Sequence, residues 1–196
     1  MKKLYGEISK SIKKYRLDVL KDVIIFVIIT LTVHYSYRYW ANSANYRPIS
    51  QQMHWAHDNA SRIVFDQGSW IIRNILNIPF ITDENQTMYF QNNGFIAINE
   101  SCSGLKPMLQ FILLMLLFPG PWKHKAWFIP MGAVIVHLTN LFRISGLAVV
   151  TVTAPEYWDF SHDYLFRPFF YVVIFFLWVW WVEKFRKIDL TGPQDL

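Results

Sequence analysis

The chain has 196 residues, 53% of them hydrophobic and 18% aromatic, with 19 Lys and Arg against 14 acids and a formal net charge of +5. Apolar content above the roughly 45–50% of soluble domains, delivered in blocks flanked by basic residues, excludes a soluble domain and a nucleic-acid surface in favour of a membrane protein. A single cysteine, Cys102, excludes an intramolecular disulfide framework and any CxxC metal or redox centre.

Residues 1–21 carry Lys2, Lys3, Lys10, Lys13, Lys14, Arg16 and Lys21, with Ile8, Ile12, Tyr15 and Leu17 spaced along one face. This is the pattern of a basic amphipathic cytoplasmic segment on the inner leaflet, or of a solvated tail. The apolar run 22–40 has the ~20 residues needed to cross a bilayer. It ends in an aromatic belt of Tyr35, Tyr37, Tyr39 and Trp40, and it is too long, and lacks the cleavage motif, for a signal peptide.

From 41 to 101 the composition turns polar and aromatic, as in an outward-facing segment. Within 51–77, Met53, Trp55, Ile63, Val64, Trp70, Ile71 and Ile75 have helical spacing interrupted by Asp66, Gly68 and Arg73, which predicts one or two helices at the outer interface. Residues 63–81 are open to a second reading as a short re-entrant or spanning helix. Across 87–99 the pattern is a β-hairpin, Thr87–Gln91 and Phe95–Asn99 about an Asn92-Asn93-Gly94 turn, because Asn and Gly tolerate the positive φ of tight turns.

Residues 102–185 then form the membrane core, with spans at 103–119, 126–152 and 164–182, and 186–196 as a cytoplasmic tail. Twelve of the 19 basic residues fall inside when there are four spans and both termini are cytoplasmic. The fold class expected is an all-α integral membrane protein of about four transmembrane helices, N-in and C-in, with an interfacial helix and a small hairpin between spans 1 and 2.

Topology gives each polar residue a depth. Cys102 sits just outside the second span and His162, in Ser161-His-Asp163, just outside the fourth. Arg143 lies within the third span, where a charge costs at least ~2.5–3.5 kcal/mol and is normally retained for function. At ~1.5 Å per residue it lies ~25 Å from Ala126 in a ~30 Å core, level with the other two. Asn140, three positions before Arg143, shares its face.

The chemistry this set suits is nucleophilic. Ser101 or Ser103 can cap the second span with Pro107 in its first turn, turning the positive end of the helix dipole toward the sulfur. His162 is the natural proton acceptor, and Arg143 suits holding a carbonyl or its oxyanion. Glu100 opposes a sulfur anion if it points there, so its expected part is substrate positioning or capping; Ser103, Gly104 and Asn140 are expected to support the site. Taken singly, each residue also has an ordinary reading: a filler cysteine, a snorkelling arginine, a surface histidine.

Glu100-Ser-Cys-Ser-Gly104, then Asn140-Leu-Phe-Arg143, then His162 after a short loop, together resemble the exosortase and archaeosortase family of integral membrane cysteine transpeptidases. The resemblance covers residues 95–185 and is that of a compact member. It implies Cys102, Arg143 and His162 as the catalytic set, with no cofactor and no metal. It also implies a place in the bacterial cytoplasmic membrane with the site facing the extracytoplasmic side. Its substrates would be exported proteins with a C-terminal signal of short motif, transmembrane helix and basic cluster. The reaction would pass through a thioacyl enzyme to an acceptor lipid or glycan, with membrane lipids as surroundings and no nucleic acid.

Other intramembrane hydrolase signatures are absent: HExxH, Gly-x-Gly-Asp and Gly-x-Ser-x-Gly do not occur. His54 and His57 share a helix face beside Asp58 but lack a third metal ligand, which makes an interfacial surface the expectation. His34 and His137, within spans, read as hydrogen-bonded packing residues. The alternatives from other classes are a non-catalytic accessory protein of polysaccharide export or assembly, and a thiol-dependent acyltransferase.

Overall fold

The computed structural model describes residues 17–42, 47–99 and 102–186. Most of the basic amphipathic segment expected at 1–21, the cytoplasmic tail beyond Arg186, and Glu100 and Ser101 lie outside the described residues.

Among the described residues, three helical stretches are long and apolar enough to cross a membrane: Leu20–Tyr39, Trp122–Thr153 and Pro155–Phe185. The first lies within α1, Leu17–Asn42; the second is α4, Trp122–Thr153. The third contains α5, Arg167–Trp181, preceded by a 3-10 turn Pro155–Tyr157, a short turn Trp158–Phe160 and a π-helical segment Ser161–Phe166. The second expected span is shorter than its neighbours: α3, Leu105–Leu117, is apolar but has 13 residues, about 20 Å of helix at 1.5 Å per residue. Ile24, Ile28, Leu31, Val134, Leu138 and Phe176 stand exposed along the bundle. Such an apolar girdle is stable against lipid and costly against water, so the chain is a transmembrane protein.

Of residues 51–77, where one or two helices were expected, 51–74 belong to one helix, α2, Arg47–Asn74, which packs across α4, and 75–77 lie beyond its end. The contacts are specific: Gly68 lies against Ile144, and His137 Nε2 is 2.7 Å from Gln67 Oε1, so His137 is the hydrogen-bonded packing residue its position suggested.

The expected hairpin is present as β2, Thr87–Phe90, and β3, Phe95–Ala97, paired Thr87 to Ala97 and Met88 to Ile96. Asn93 takes the left-handed conformation, φ 62°. The tip docks on the end of α4 through Asn92 Nδ2 donating to the Thr151 carbonyl at 2.6 Å. A third strand, β1, Phe80–Thr82, pairs antiparallel with β2 and was not foreseen. Three residues are too few to show an alternating pattern, and Pro79 beside them reads as a loop. Asp83 closes the β1–β2 turn by accepting from the Thr87 amide at 2.9 Å, the Asn85 amide at 3.0 Å and the Tyr89 hydroxyl at 3.2 Å. These bonds, the Thr87 amide first, hold its carboxyl below the usual range. The turn therefore keeps this support above the ordinary carboxylate pKa and loses it as the pH falls through the lowered value.

Two apolar clusters divide the interior. One joins α3, α4 and α5 through Phe111, Leu114, Phe128, Ile174, Trp178 and Trp181. Gly132 lets α3 approach α4 so closely that a Cβ there would overlap the Phe111 ring. The other joins α2, the sheet and the upper part of α4 through Val64, Ile72, Met88, Ile96, Ile144 and Leu147.

At the loop between α3 and α4, Lys125 is 3% exposed and donates to the carbonyls of Leu116 at 3.0 Å and Phe118 at 2.6 Å. A cation at the negative end of the α3 dipole satisfies acceptors the helix leaves open. Replacing Lys125 by Met orphans those carbonyls and is expected to destabilise the folded protein by about 1–3 kcal/mol. Thermal unfolding in detergent measures this, with Lys125→Arg expected to retain most of the loss.

Candidate active site

Cys102, Arg143 and Asn140 meet in the seam between the two apolar clusters. The chain leaves β3, turns with the Cys102 amide on the Asn99 carbonyl at 2.9 Å, and enters α3 three residues after the thiol, at Leu105. Gly104 occupies the cap position with φ 72°, a conformation that favours glycine, and a Cβ there would stand 2.7 Å from Asn140 Nδ2. Ser103, one residue before the cap, has its Oγ accept the Leu105 amide at 3.3 Å. α3 thus starts just after the Cys102 loop, with Gly104 rather than the expected Ser101 or Ser103 in the cap position.

From α4, Asn140 Nδ2 donates to the Cys102 carbonyl at 2.9 Å and Arg143 Nη2 lies 3.4 Å from Cys102 Sγ. Both α4 residues are buried, Asn140 0% and Arg143 6% exposed. The guanidinium also sits 5.8 Å from the centre of the Phe170 ring. Held between sulfur and ring, it is placed to stabilise an anionic sulfur by a charge-assisted contact.

His162 lines the same cleft as Arg143 and Gly104, a space of about 770 Å³. The π-helical segment carries it, a local widening of the kind often found at functional sites. Its ring stacks on Trp158 with centroids 4.9 Å apart, and Nδ1 is 2.8 Å from Asp163 Oδ1, which Arg167 holds at 3.0 Å. With Nδ1 so engaged, Nε2 is the nitrogen left to address the cleft. No hydrogen bond joins His162 to Cys102 among the described residues; the sulfur faces Arg143 instead. Arg143, which contacts the sulfur, lines the cleft together with His162.

His57 was expected on an interfacial surface, and the structure corrects this. It is 5% exposed and lines the cleft, with Nδ1 2.9 Å from Ser103 Oγ and Nε2 2.7 Å from the Tyr37 hydroxyl. A chain of side chains from α1 through α2 thus ends on the residue that follows Cys102. His54, one turn away on α2, is exposed. His34 also lines the cleft. Periodicity had put both α2 histidines on one face; nothing in the sequence tells which of them meets the Ser103 turn, 46 residues later. Among the described residues no group of His, Cys, Asp and Glu is arranged to hold a metal ion.

A thiol held by a buried arginine at one end of an apolar helical bundle defines a membrane-embedded thiol site. The protein that carries it belongs to the transmembrane exosortase family: the family model, Transmembrane exosortase (Exosortase_EpsH), matches residues 47–182. That stretch runs from α2 through α5 and includes Cys102, Arg143, His162 and His57. No curated protein and no solved structure matches the chain. At the level of the family, membership supports a membrane transpeptidase-type function.

Two measurements test the geometry. Arg143→Met is expected to slow alkylation of Cys102 by iodoacetamide by about tenfold or more, since the anionic form loses its cation. Gly104→Ala, which combines a strained φ with an overlap on Asn140, should cost about 1 kcal/mol or more in thermal stability and displace the thiol, read as a second drop in alkylation rate.

Proposed function

We propose that the protein is a cysteine transpeptidase that cleaves the C-terminal sorting signal of exported proteins at the extracytoplasmic face of the cytoplasmic membrane. The observation that carries this reading is the 3.4 Å contact of Cys102 Sγ with Arg143 Nη2 beside a cleft that His162 also lines. The thiolate of Cys102 adds to the scissile carbonyl and a C–S bond forms. As the sulfur loses its charge, the guanidinium turns its donors to the new oxyanion; Arg143 Nε has no hydrogen-bond partner and supplies a second donor.

Collapse of the adduct breaks the C–N bond, and the leaving amine takes a proton from His162, which Asp163 orients. An acceptor amine or hydroxyl, giving its proton to His162, then attacks the thioester and restores the thiolate. Asn140 and Gly104 fix the Cys102 loop, and Ser103 ties it to His57. Glu100, next to the loop, serves substrate positioning. In this topology both termini are cytoplasmic, the core 102–185 carries the catalysis, and no metal or cofactor takes part.

Cys102→Ala tests the proposal. In cells carrying that variant, exported proteins with a C-terminal motif, hydrophobic helix and basic cluster should keep their tails, as measured by mass spectrometry of their C-terminal peptides. Normal trimming by the variant would sink the reading and favour an accessory role in polysaccharide export.

A further inference from the structure

The cleft beside Cys102 carries more positive charge than the thiol chemistry uses. Three permanent cations line it, Lys106, Arg143 and Arg167, together with His34, His57 and His162, and among the described residues no carboxylate does. The permanent cations come from separate elements: the first turn of α3, the C-terminal half of α4 and the start of α5. Lys106 feels the charges of Arg167 and of Arg38 on α1, and Arg143 feels that of Arg167. Among the described residues the acid that reaches this group is Asp163, 3.0 Å from Arg167 and already shared with His162 at 2.8 Å.

Like charges gathered at the edge of an apolar bundle repel one another through a medium that screens them poorly. A bound anion relieves that repulsion. Two buried donors point the same way. Gln110, 3% exposed, and Arg143, 6% exposed, both line the cleft, and neither Gln110 Nε2 nor Arg143 Nε has a hydrogen-bond partner. A buried donor without an acceptor is costly, and an oxygen-rich anion would satisfy both.

The cleft also adjoins two apolar grooves, both bordered by α1. One, of about 400 Å³, passes between α1 and α3 along Val33, Leu109 and Leu113. The other, of about 790 Å³, passes between α1 and α5 along Phe26, Ile174 and Phe175. Lys106 lines both the cleft and the first groove, Arg167 both the cleft and the second, and Gln110 all three.

We propose that this junction binds one anionic diacyl glycerophospholipid, its phosphate among Lys106, Arg143, Arg167 and Gln110 and one acyl chain in each groove. Charge complementarity selects the head group, and two apolar grooves meeting at one cationic point match two chains. Free phosphate or a peptide carboxylate would fill the head site alone and leave both grooves empty. The assignment rests on the cleft and its cations and not on the transpeptidase reading, and because it shares Arg143 Nε with the oxyanion contact of that reading, phosphate and oxyanion use this donor in turn.

The full chain, purified in mild detergent and titrated in native mass spectrometry with phosphatidylglycerol, phosphatidylcholine of the same chains and inorganic phosphate, tests this. Phosphatidylglycerol should bind one to one and survive removal of excess lipid, and phosphatidylcholine should bind about tenfold more weakly or less. The double variant Lys106→Gln/Arg167→Gln should weaken phosphatidylglycerol about thirtyfold, and Leu113→Trp, which fills the first groove, should weaken both lipids. Unchanged thermal unfolding without lipid confirms that the variants fold; if the double variant does not, Lys106→Gln alone and Leu113→Trp decide the question. Phosphatidylglycerol binding indifferent to the charge changes overturns the proposal. So does Leu113→Trp without effect, or inorganic phosphate competing as well as lipid. Unmodified protein that fails to bind phosphatidylglycerol while Cys102 still alkylates rapidly would remove this inference and leave the transpeptidase reading standing.

Discussion

Asn140 and Arg143 lie one turn apart on the buried face of α4, and both reach for Cys102: the amide takes its carbonyl at 2.9 Å and the guanidinium its sulfur at 3.4 Å. Those two contacts tie a loop between a sheet and a helix to α4, the longest helix among the described residues. Gly104 makes the approach possible, because any side chain at its position would strike Asn140. Rotating α4 by one residue, about 100°, would remove both contacts at once and leave a buried guanidinium unpaired. The site thus depends on the register of one helix against one loop.

That register is set by the apolar packing on either side. On one side, Phe111, Phe128, Trp178 and Trp181 lock α3, α4 and α5 into a rigid aromatic cluster, with Gly132 letting α3 approach. On the other, the inward faces of the sheet, Met88 and Ile96, pack with Val64 and Ile72 of α2 against Ile144 and Leu147 of α4. Phe166, at the end of the π-helical segment, inserts against Gly146 and so fixes the turn that presents His162. The polar residues occupy the seam between two dry clusters, where a hydrogen bond or charge contact is stronger than in water and an unmade one more costly.

Much of this was legible in the chain because the bilayer acts as a ruler. Arg143 stands out as a charge in an apolar run, and counting helical rise places it level with Cys102 and His162; the structure sets Arg143 on the sulfur and His162 in the same cleft. The hairpin was legible from Asn92-Asn93-Gly94, since Asn93 adopts the left-handed conformation that turn requires. The third strand was not, because three residues beside a proline carry no period. Nor was His57: its contacts are to Tyr37 on α1 and Ser103 before α3, and no local pattern encodes a meeting of three separate elements.

The sequence by itself determined that the chain carries apolar helices suited to a membrane, that a tight turn falls at Asn92-Asn93-Gly94, and that Arg143 is a charge set within an apolar run. Those properties are local or one-dimensional: hydropathy, periodicity and helical rise. Only the tertiary structure decided azimuth, meaning which side of each helix faces which neighbour. That choice gave the thiol an arginine rather than a histidine as its contact and brought His57 onto the adjoining serine. It also gathered Lys106, Arg143 and Arg167 around one cleft. It follows from long-range packing of shapes such as Phe111 in the hollow at Gly132, which no segment read alone can specify.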